Sequence, residues 1–344
     1  MRTYRYVLLL VAIVGGLSAC NLSSLLEPID YPPSPSYLKG PRADTLNTRS
    51  FALTQTHSFQ YPGQVSQYGS RYLLRGYNGN GNRLSVITAG TMLDVAHTEP
   101  EAFSEFFLDE GGGLWGLTRQ QQQNTIRQYQ SGQWMEYATL SGIGNFYSVI
   151  KAEPNEFRFY TSTGLVVWDV QQKVVKQTIP NERARFLTKN YSIGSNGQTL
   201  TLYDSDATRQ LASWPLDQYV SVKKGISNDI WAASEDKNGH LWLVIKNSNW
   251  DGVLLKYDSQ SLRKLSMIPV GYYDSGRSVN GLTLDKAGNL WVEVDHTNYL
   301  YTTSGKWVRP LFDSVDKDRW TPIFSDDRSE LTLATEKGLY RINQ

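Results

Sequence analysis

Cysteine occurs once in the 344 residues, at Cys20, and histidine four times, at His57, His97, His240 and His296. A single cysteine excludes any disulfide within the chain and any Cys-x-x-Cys pair for zinc or redox chemistry. His-Glu-x-x-His and Gly-x-Ser-x-Gly are both missing, which removes the common zinc-hydrolase and serine-hydrolase signatures. Nothing in these patterns calls for a cofactor. Neither sign of charge dominates: 34 Lys and Arg stand against 33 Asp and Glu, a net charge of +1, so there is no electrostatic reason to expect nucleic acid as a partner. Long stretches of helical periodicity are absent as well. Apolar residues come in short alternating runs such as Leu290, Val292 and Val294, which favour strands.

The chain is rich in aromatics, with 21 Tyr and 10 Trp, and it repeats itself. The phrase Asp-x-x-Gly-x-Leu-Trp occurs three times: Asp109, Gly112 and Trp115 belong to the first copy, Asp236, Gly239 and Trp242 to the second, Asp285, Gly288 and Trp291 to the third. Each copy sets a turn-forming acid and a glycine before an apolar run, so it reads as a tight turn feeding a strand. The last two copies lie 49 residues apart and the first two 127 apart, room for three units of about 42, a common propeller-blade length. Phe157 and Leu331 fit two of the empty slots, Tyr191 and Tyr72 two more. Seven units result.

Each unit divides into four strands, as a propeller blade does. The second unit gives strands at 103–109, 113–119, 124–130 and 133–138, and the sixth at 279–285, 289–295, 298–303 and 306–311. Their last hairpins, Ser131-Gly132-Gln133-Trp134 and Ser304-Gly305-Lys306-Trp307, match closely. The seventh unit ends one strand short, after 338–343, and an open blade edge would leave backbone groups unpaired. Residues 50–58 precede the first unit without a blade of their own. The expected fold is therefore all-β, a seven-bladed β-propeller of four-stranded blades, closed by an N-terminal strand pairing with the C-terminal blade.

Residues 1–19 carry Arg2 and Arg5, an apolar stretch from Val7, and Leu17-Ser18-Ala19 before Cys20. This resembles a bacterial lipoprotein signal peptide, whose final cysteine is acylated after cleavage; the apolar stretch is short for a membrane span. The resemblance implies lipidation at Cys20, attachment to a bilayer and, with Asn21 following, a place at the outer membrane facing the periplasm of a Gram-negative host. Residues 20–45 contain Pro28, Pro32, Pro33, Pro35 and Pro41, a composition that favours extended conformers over a core. Fully extended at about 3.1 Å per residue, this tether reaches ~75 Å. The propeller is expected to occupy 46–344.

The repeated phrase resembles the repeats of two-component-regulator propellers, and Thr118, Thr161 and Thr335 keep that family's threonine after the strand. The resemblance implies a binding role rather than a reaction. The lipid anchor, tether and ring together are similar to the outer-membrane assembly lipoprotein that is itself a propeller. Streptogramin lyases are seven-bladed too, with similar Gly-x-Leu-Trp strands; likeness to them would make Glu293 and His296, beside Asp295, the candidates for metal coordination or general base work.

Three function classes follow. The leading one is a non-enzymatic envelope scaffold presenting its loops to an envelope protein, with Tyr272-Tyr273 and Asn249-Trp250 as candidate anchors. The second is capture of a glycan or small ligand at the central funnel, where Trp115, Trp242 and Trp291 would be stacking platforms if exposed and blade packing if buried. The third is a lyase-like metalloenzyme. Deleting 50–58 is expected to lower the melting temperature far more than deleting 21–45; equal melting temperatures for the two truncations would rule out the closing strand.

Overall fold

The computed structural model describes residues 40–58, 64–77, 82–88, 91–96, 103–120, 123–220, 229–246, 252–269, 279–294, 297–312, 323–325, 330–335 and 337–343. All belong to one compact unit, Lys39–Gln344. Cys20, most of the tether, Tyr272-Tyr273, Asn249-Trp250, Asp295 and His296 lie outside the described residues.

Two strands, β1 (Asn47–Phe51) and β2 (Leu53–Ser58), precede the first blade. Blade 1 holds β3 (Gln64–Tyr68), β4 (Arg71–Tyr77), β5 (Asn82–Thr88) and β6 (Thr91–Ala96). Blade 2 holds β7 (Phe103–Leu108), β8 (Leu114–Gln120), β9 (Gln123–Gln130) and β10 (Gln133–Leu140). In blade 3 the strands are β11 (Phe146–Ala152), β12 (Glu156–Thr161), β13 (Gly164–Asp169) and β14 (Val174–Ile179). Blade 4, the least regular, has β15 (Phe186–Leu187), β16 (Tyr191–Ser195), β17 (Thr199–Asp204) and β18 (Gln210–Pro215). Blade 5 is β19 (Asp229–Glu235), β20 (Leu241–Lys246), β21 (Gly252–Tyr257) and β22 (Leu262–Met267). Blade 6 has β23 (Val279–Leu284), β24 (Leu290–Val294), β25 (Thr297–Tyr301) and β26 (Trp307–Phe312), and blade 7 has β27 (Ile323–Ser325), β28 (Leu331–Thr335) and β29 (Gly338–Ile342).

Within each blade the strands pair in sequence as an antiparallel meander. First strands of neighbouring blades pack on one another, β3 on β7, β7 on β11, β15 on β19, β19 on β23 and β23 on β27, so the first strand is innermost and the fourth forms the rim. A sheet that is apolar on both faces has to bury both, and the ring supplies a neighbour for each. Seven apolar clusters result, one at every blade interface. The second and third strands are sandwiched twice, which explains the unbroken apolar runs in β13, β20 and β21 where alternation is the rule for half-exposed strands.

The chain closes the ring as the sequence suggests, and it goes further. Strand β2 lies antiparallel on β29, Leu53 opposite Ile342 and Ser58 opposite Gly338, and completes blade 7. Just before it, β1 runs parallel to β26, from Asn47 opposite Val308 to Phe51 opposite Phe312, and adds a fifth strand to blade 6. One nearly continuous extended run thus serves two sheets, changing partner at Ala52, whose carbonyl accepts the Asn343 N–H at 3.0 Å. Phe51, buried at this switch, meets the Trp291 ring edge-on at 5.0 Å and seals the interface between blades 6 and 7. Packing also starts before residue 46: Ala43 is buried in the cluster between blades 5 and 6, with Leu46 against it. A Cβ on Gly40 would run into the Ile268 carbonyl.

Gly338 is the residue that lets the closing strand sit. It has φ +156°, and a Cβ there would collide with the His57 carbonyl oxygen of β2. Replacement by alanine therefore strains the backbone and pushes the strap away from β29 together. Gly338→Ala is expected to cost about 1–3 kcal/mol in urea unfolding, while Gly305→Ala, at a turn whose nearest neighbour is the tip of Tyr301, costs less. Equal losses at the two glycines would contradict this account of closure.

Candidate functional site

One end of the barrel of strands is built from tight turns. In each copy of the repeated phrase the aspartate opens a three-residue loop with the glycine in the left-handed region, Gly112 at φ +89°, Gly239 at +78° and Gly288 at +82°. The main-chain bonds are the same three times: the aspartate N–H donates to the residue four on (Gly113, His240, Asn289), and its carbonyl accepts the glycine N–H. The side chain then braces the loop. Oδ1 accepts from Gly113 N at 2.7 Å, from His240 N at 2.9 Å and from Asn289 N at 2.8 Å. Oδ2 takes the indole N–H of Trp115 at 2.8 Å and of Trp291 at 3.2 Å.

In the second copy His240 Nδ1 occupies Oδ2 of Asp236 at 3.0 Å, and Trp242 Nε1 is buried without a partner. Trp242 carries the Lys256 ammonium over its ring at 4.6 Å instead. All three tryptophans are buried, Trp115 edge-on to Phe157 and Tyr137 and Trp291 edge-on to Phe51, so they pack blades and offer no platform for a ligand. The same bracket occurs at Asp204, which accepts Thr208 N at 2.7 Å with Ala207 at φ +54°. No glycine marks that copy in the sequence. Thr302 makes it with a hydroxyl, accepting Lys306 N at 3.1 Å.

The opposite end carries the second-to-third-strand turns and the strand ends from which segments 97–102, 221–228, 270–278 and 313–322 depart towards the next blade. Here the inner strands are irregular. A bulge leaves one residue unpaired in four of them: Ser104 in β7, Tyr147 in β11, Trp231 in β19 and Asn280 in β23. Bulges of this kind re-aim side chains next to functional sites. Strand β11 has a second one at Ile150, and Tyr147 and Ile150 are both exposed. Tyr160 stands beside Tyr147, and the Arg185–Asp229 ion pair, with Nη2 donating to Oδ2 at 2.6 Å, lies near Tyr160.

Between blades 1 and 2 the inner strands leave a narrow cleft lined by Ser66, Leu73, Arg75, Glu105 and Phe106. Burial raises the Glu105 carboxyl above its usual range, with Arg75 opposing. Burial also raises the Tyr68 hydroxyl, which donates to the Phe106 carbonyl at 3.2 Å, and Glu105 adds to the shift. Arg75 is engaged with the Phe103 carbonyl and the Phe106 ring face.

Glu293 is buried within blade 6, its Cα opposite Gly281 and Asn298. Among the described residues no three His, Cys, Asp or Glu side chains come together as a metal site would require. Exposed large apolar side chains other than Tyr147 and Ile150 sit on the rim of four consecutive blades: Met92 on β6, Met135 on β10, Val174 and Val175 on β14, and Leu211 on β18. Sequence reasoning did not find them, because a fourth strand of mixed polarity gives no sign of which apolar residues its neighbours leave uncovered.

No family model matches the chain, and no curated protein matches it. Among solved structures, a catalytically inactive virginiamycin B lyase from Staphylococcus aureus with quinupristin is 12% identical, with a TM-score of 0.57, 86% of this chain and 99% of that one covered. YCF48 bound to D1 peptide is 12% identical with a TM-score of 0.54, covering 89% and 98%. BamB from Moraxella catarrhalis is 11% identical with a TM-score of 0.50, covering 84% and 99%. At such identities the likeness establishes the propeller and nothing of the site.

The turn carboxylates generate a pH dependence. Burial of Asp236 raises its pKa, but the His240 and Asn238 amides and the His240 ring outweigh it and hold the carboxyl below its usual range. A carboxylate shifted down in the folded state stabilises the fold above its unfolded pKa of about 3.9 and loses that contribution as the pH falls through the folded value. Asp236→Asn is therefore expected to lower Tm at pH 7, with the gap to the parent protein closing as the pH drops below about 4. A gap independent of pH in circular dichroism melts would mean that the charge contributes nothing.

Proposed function

We propose that the protein is a non-enzymatic, membrane-anchored envelope lipoprotein whose propeller is a scaffold for another envelope protein. Acylation at Cys20 would anchor it to the outer membrane, periplasm-facing, with the Pro-rich tether as spacer. The observation that carries the reading is the one-sided rim. Blades 1 to 4 expose Met92, Met135, Val174, Val175 and Leu211 on their outer strands, whereas blade 6 has its rim covered by β1. In β14 five consecutive residues, 174–178, are exposed along an unpaired edge. Such an edge is a template for an added strand, and β1 on β26 is that same event made by the chain on itself. The expected partner accordingly offers an extended segment to β14 and an apolar residue to Val174 and Val175. Similar propellers support a protein ligand, since YCF48 holds a D1 peptide.

The test places a photo-crosslinking residue at Val175, or at Thr54 on the blade 7 rim, in the intact lipoprotein in cells. One envelope protein captured from position 175, lost in Cys20→Ser and in Val174→Glu with Val175→Glu, is the expected result. Equal capture from both positions, or retention of Cys20→Ser in the membrane fraction, would refute the docking edge or the anchor respectively.

A further inference from the structure

Four side chains from three blades gather where the inner strands begin. Tyr147 is the second residue of β11, Tyr160 the penultimate residue of β12, Arg185 precedes β15 and Asp229 opens β19. The Tyr147 and Tyr160 rings lie 5.8 Å apart with their planes at 47°, an open wedge rather than a flat platform. Tyr147 is 57% exposed and is held there by its bulge, since it has no strand partner of its own. Arg185 is fixed at both ends, by its N–H on the Ile193 carbonyl at 2.8 Å and by its guanidinium on Asp229. Both members of that pair are still about a third exposed, at 38% and 31% of the side chain.

The chemistry of the four narrows what fits. Because the guanidinium and the carboxylate cancel each other at 2.6 Å, an ionic ligand would gain no net field and would have to break a charge-assisted bond to enter. The pair does leave polar groups over: its bond uses one of five guanidinium N–H donors and one of the two carboxylate oxygens. Donors and an acceptor side by side suit neighbouring hydroxyls, each of which both donates and accepts. The exposed Tyr147 ring, which shares Tyr160 as a neighbour with that pair, asks for an apolar C–H face. A pyranose ring has both.

We propose that this wedge is a binding site for a neutral oligosaccharide, which stacks one sugar on Tyr147 and bonds its hydroxyls to the exposed side of Arg185 and Asp229. Burial pushes the Tyr160 hydroxyl above its usual range, with Asp229 and Tyr147 adding and Arg185 opposing, so that hydroxyl stays a donor through neutral pH. The site belongs to the inner strands of blades 3 to 5 and stands independently of the rim and its partner.

The test uses the full-length protein in detergent against a printed panel of neutral oligosaccharides built on glucose, N-acetylglucosamine, mannose and galactose, with heparin and a peptide array as competing arms. Any neutral oligosaccharide that binds is then titrated by saturation-transfer NMR and calorimetry. Tyr147→Ala is expected to weaken it about tenfold or more, the loss of one stacked ring, while Tyr147→Phe retains it and Tm is unchanged in both. Asp229→Asn with Arg185→Gln weakens it as well. Absence of any neutral oligosaccharide ligand, preference for heparin or peptide, or a Tyr147→Ala titration equal to the parent's would each overturn the proposal.

Discussion

Everything in this molecule depends on the pairing of Leu53–Ser58 with Gly338–Ile342. A blade buries its two faces only against its neighbours, so an unclosed ring leaves two faces wet and the other six interfaces free to slide. The junction of blades 7 and 1 is also poor in apolar contact. Its described cluster has four buried residues, Leu74, Ile87, Ala334 and Leu339, against fourteen between blades 5 and 6. At roughly 25 cal/mol per Å2 of apolar surface, so small a cluster holds two blades weakly. Main-chain bonds make up the difference, together with the Tyr72 hydroxyl reaching Thr332 across the junction at 3.0 Å. The strap brings in covalent continuity as well, because the strand that completes blade 7 is tied to the rim of blade 6 by Ala52 and to blade 5 by Ala43.

Much of this was legible in the sequence because the turn needs particular atoms. A bracket that accepts a main-chain N–H on one carboxylate oxygen and a side-chain N–H on the other, and demands positive φ three residues later, admits few residue types, so Asp109, Asp236 and Asp285 stand out with their glycines. Asp204 performs the same task at a third-to-fourth-strand turn, yet Ala207 in the left-handed region hides it, and the first turn of the fourth blade has no aspartate, Thr188 accepting the Tyr191 N–H instead. The tryptophan after the strand is legible for a different reason. Its indole N–H is the natural donor for the second carboxylate oxygen, and where His240 takes that place, Trp242 stays buried with its N–H unpaired.

Other features left no mark that sequence could carry. That residues 47–51 belong to blade 6 and 53–58 to blade 7 follows from which outer edge each half meets, not from any residue's preference; both halves simply read as strand. Gly338 looks like any glycine after a turn until the His57 carbonyl is seen against it. The bulge at Tyr147 is likewise invisible, since a strand with one extra residue keeps its composition while the register changes by one. Glu293 and His296 had drawn attention by adjacency in the chain. Glu293 is buried inside blade 6, and Asp295 and His296 lie outside the described residues.

The two ends of the ring differ in what they are free to do. At the turn end the loops of the repeated phrase are three residues long and braced by a carboxylate, so a change there is felt as lost stability. At the other end the links between blades are longer, and the inner strands break register, which separates side-chain direction from the demands of the sheet. A mouth of that kind suits a small polar ligand, whose recognition needs a few fixed groups converging on one point. The rim suits something else. An outer strand offers a row of main-chain groups and whatever apolar side chains its neighbours leave uncovered, which is recognition of a chain by its extended shape. Because a blade separates the mouth from the rim, occupation of one need not disturb the other.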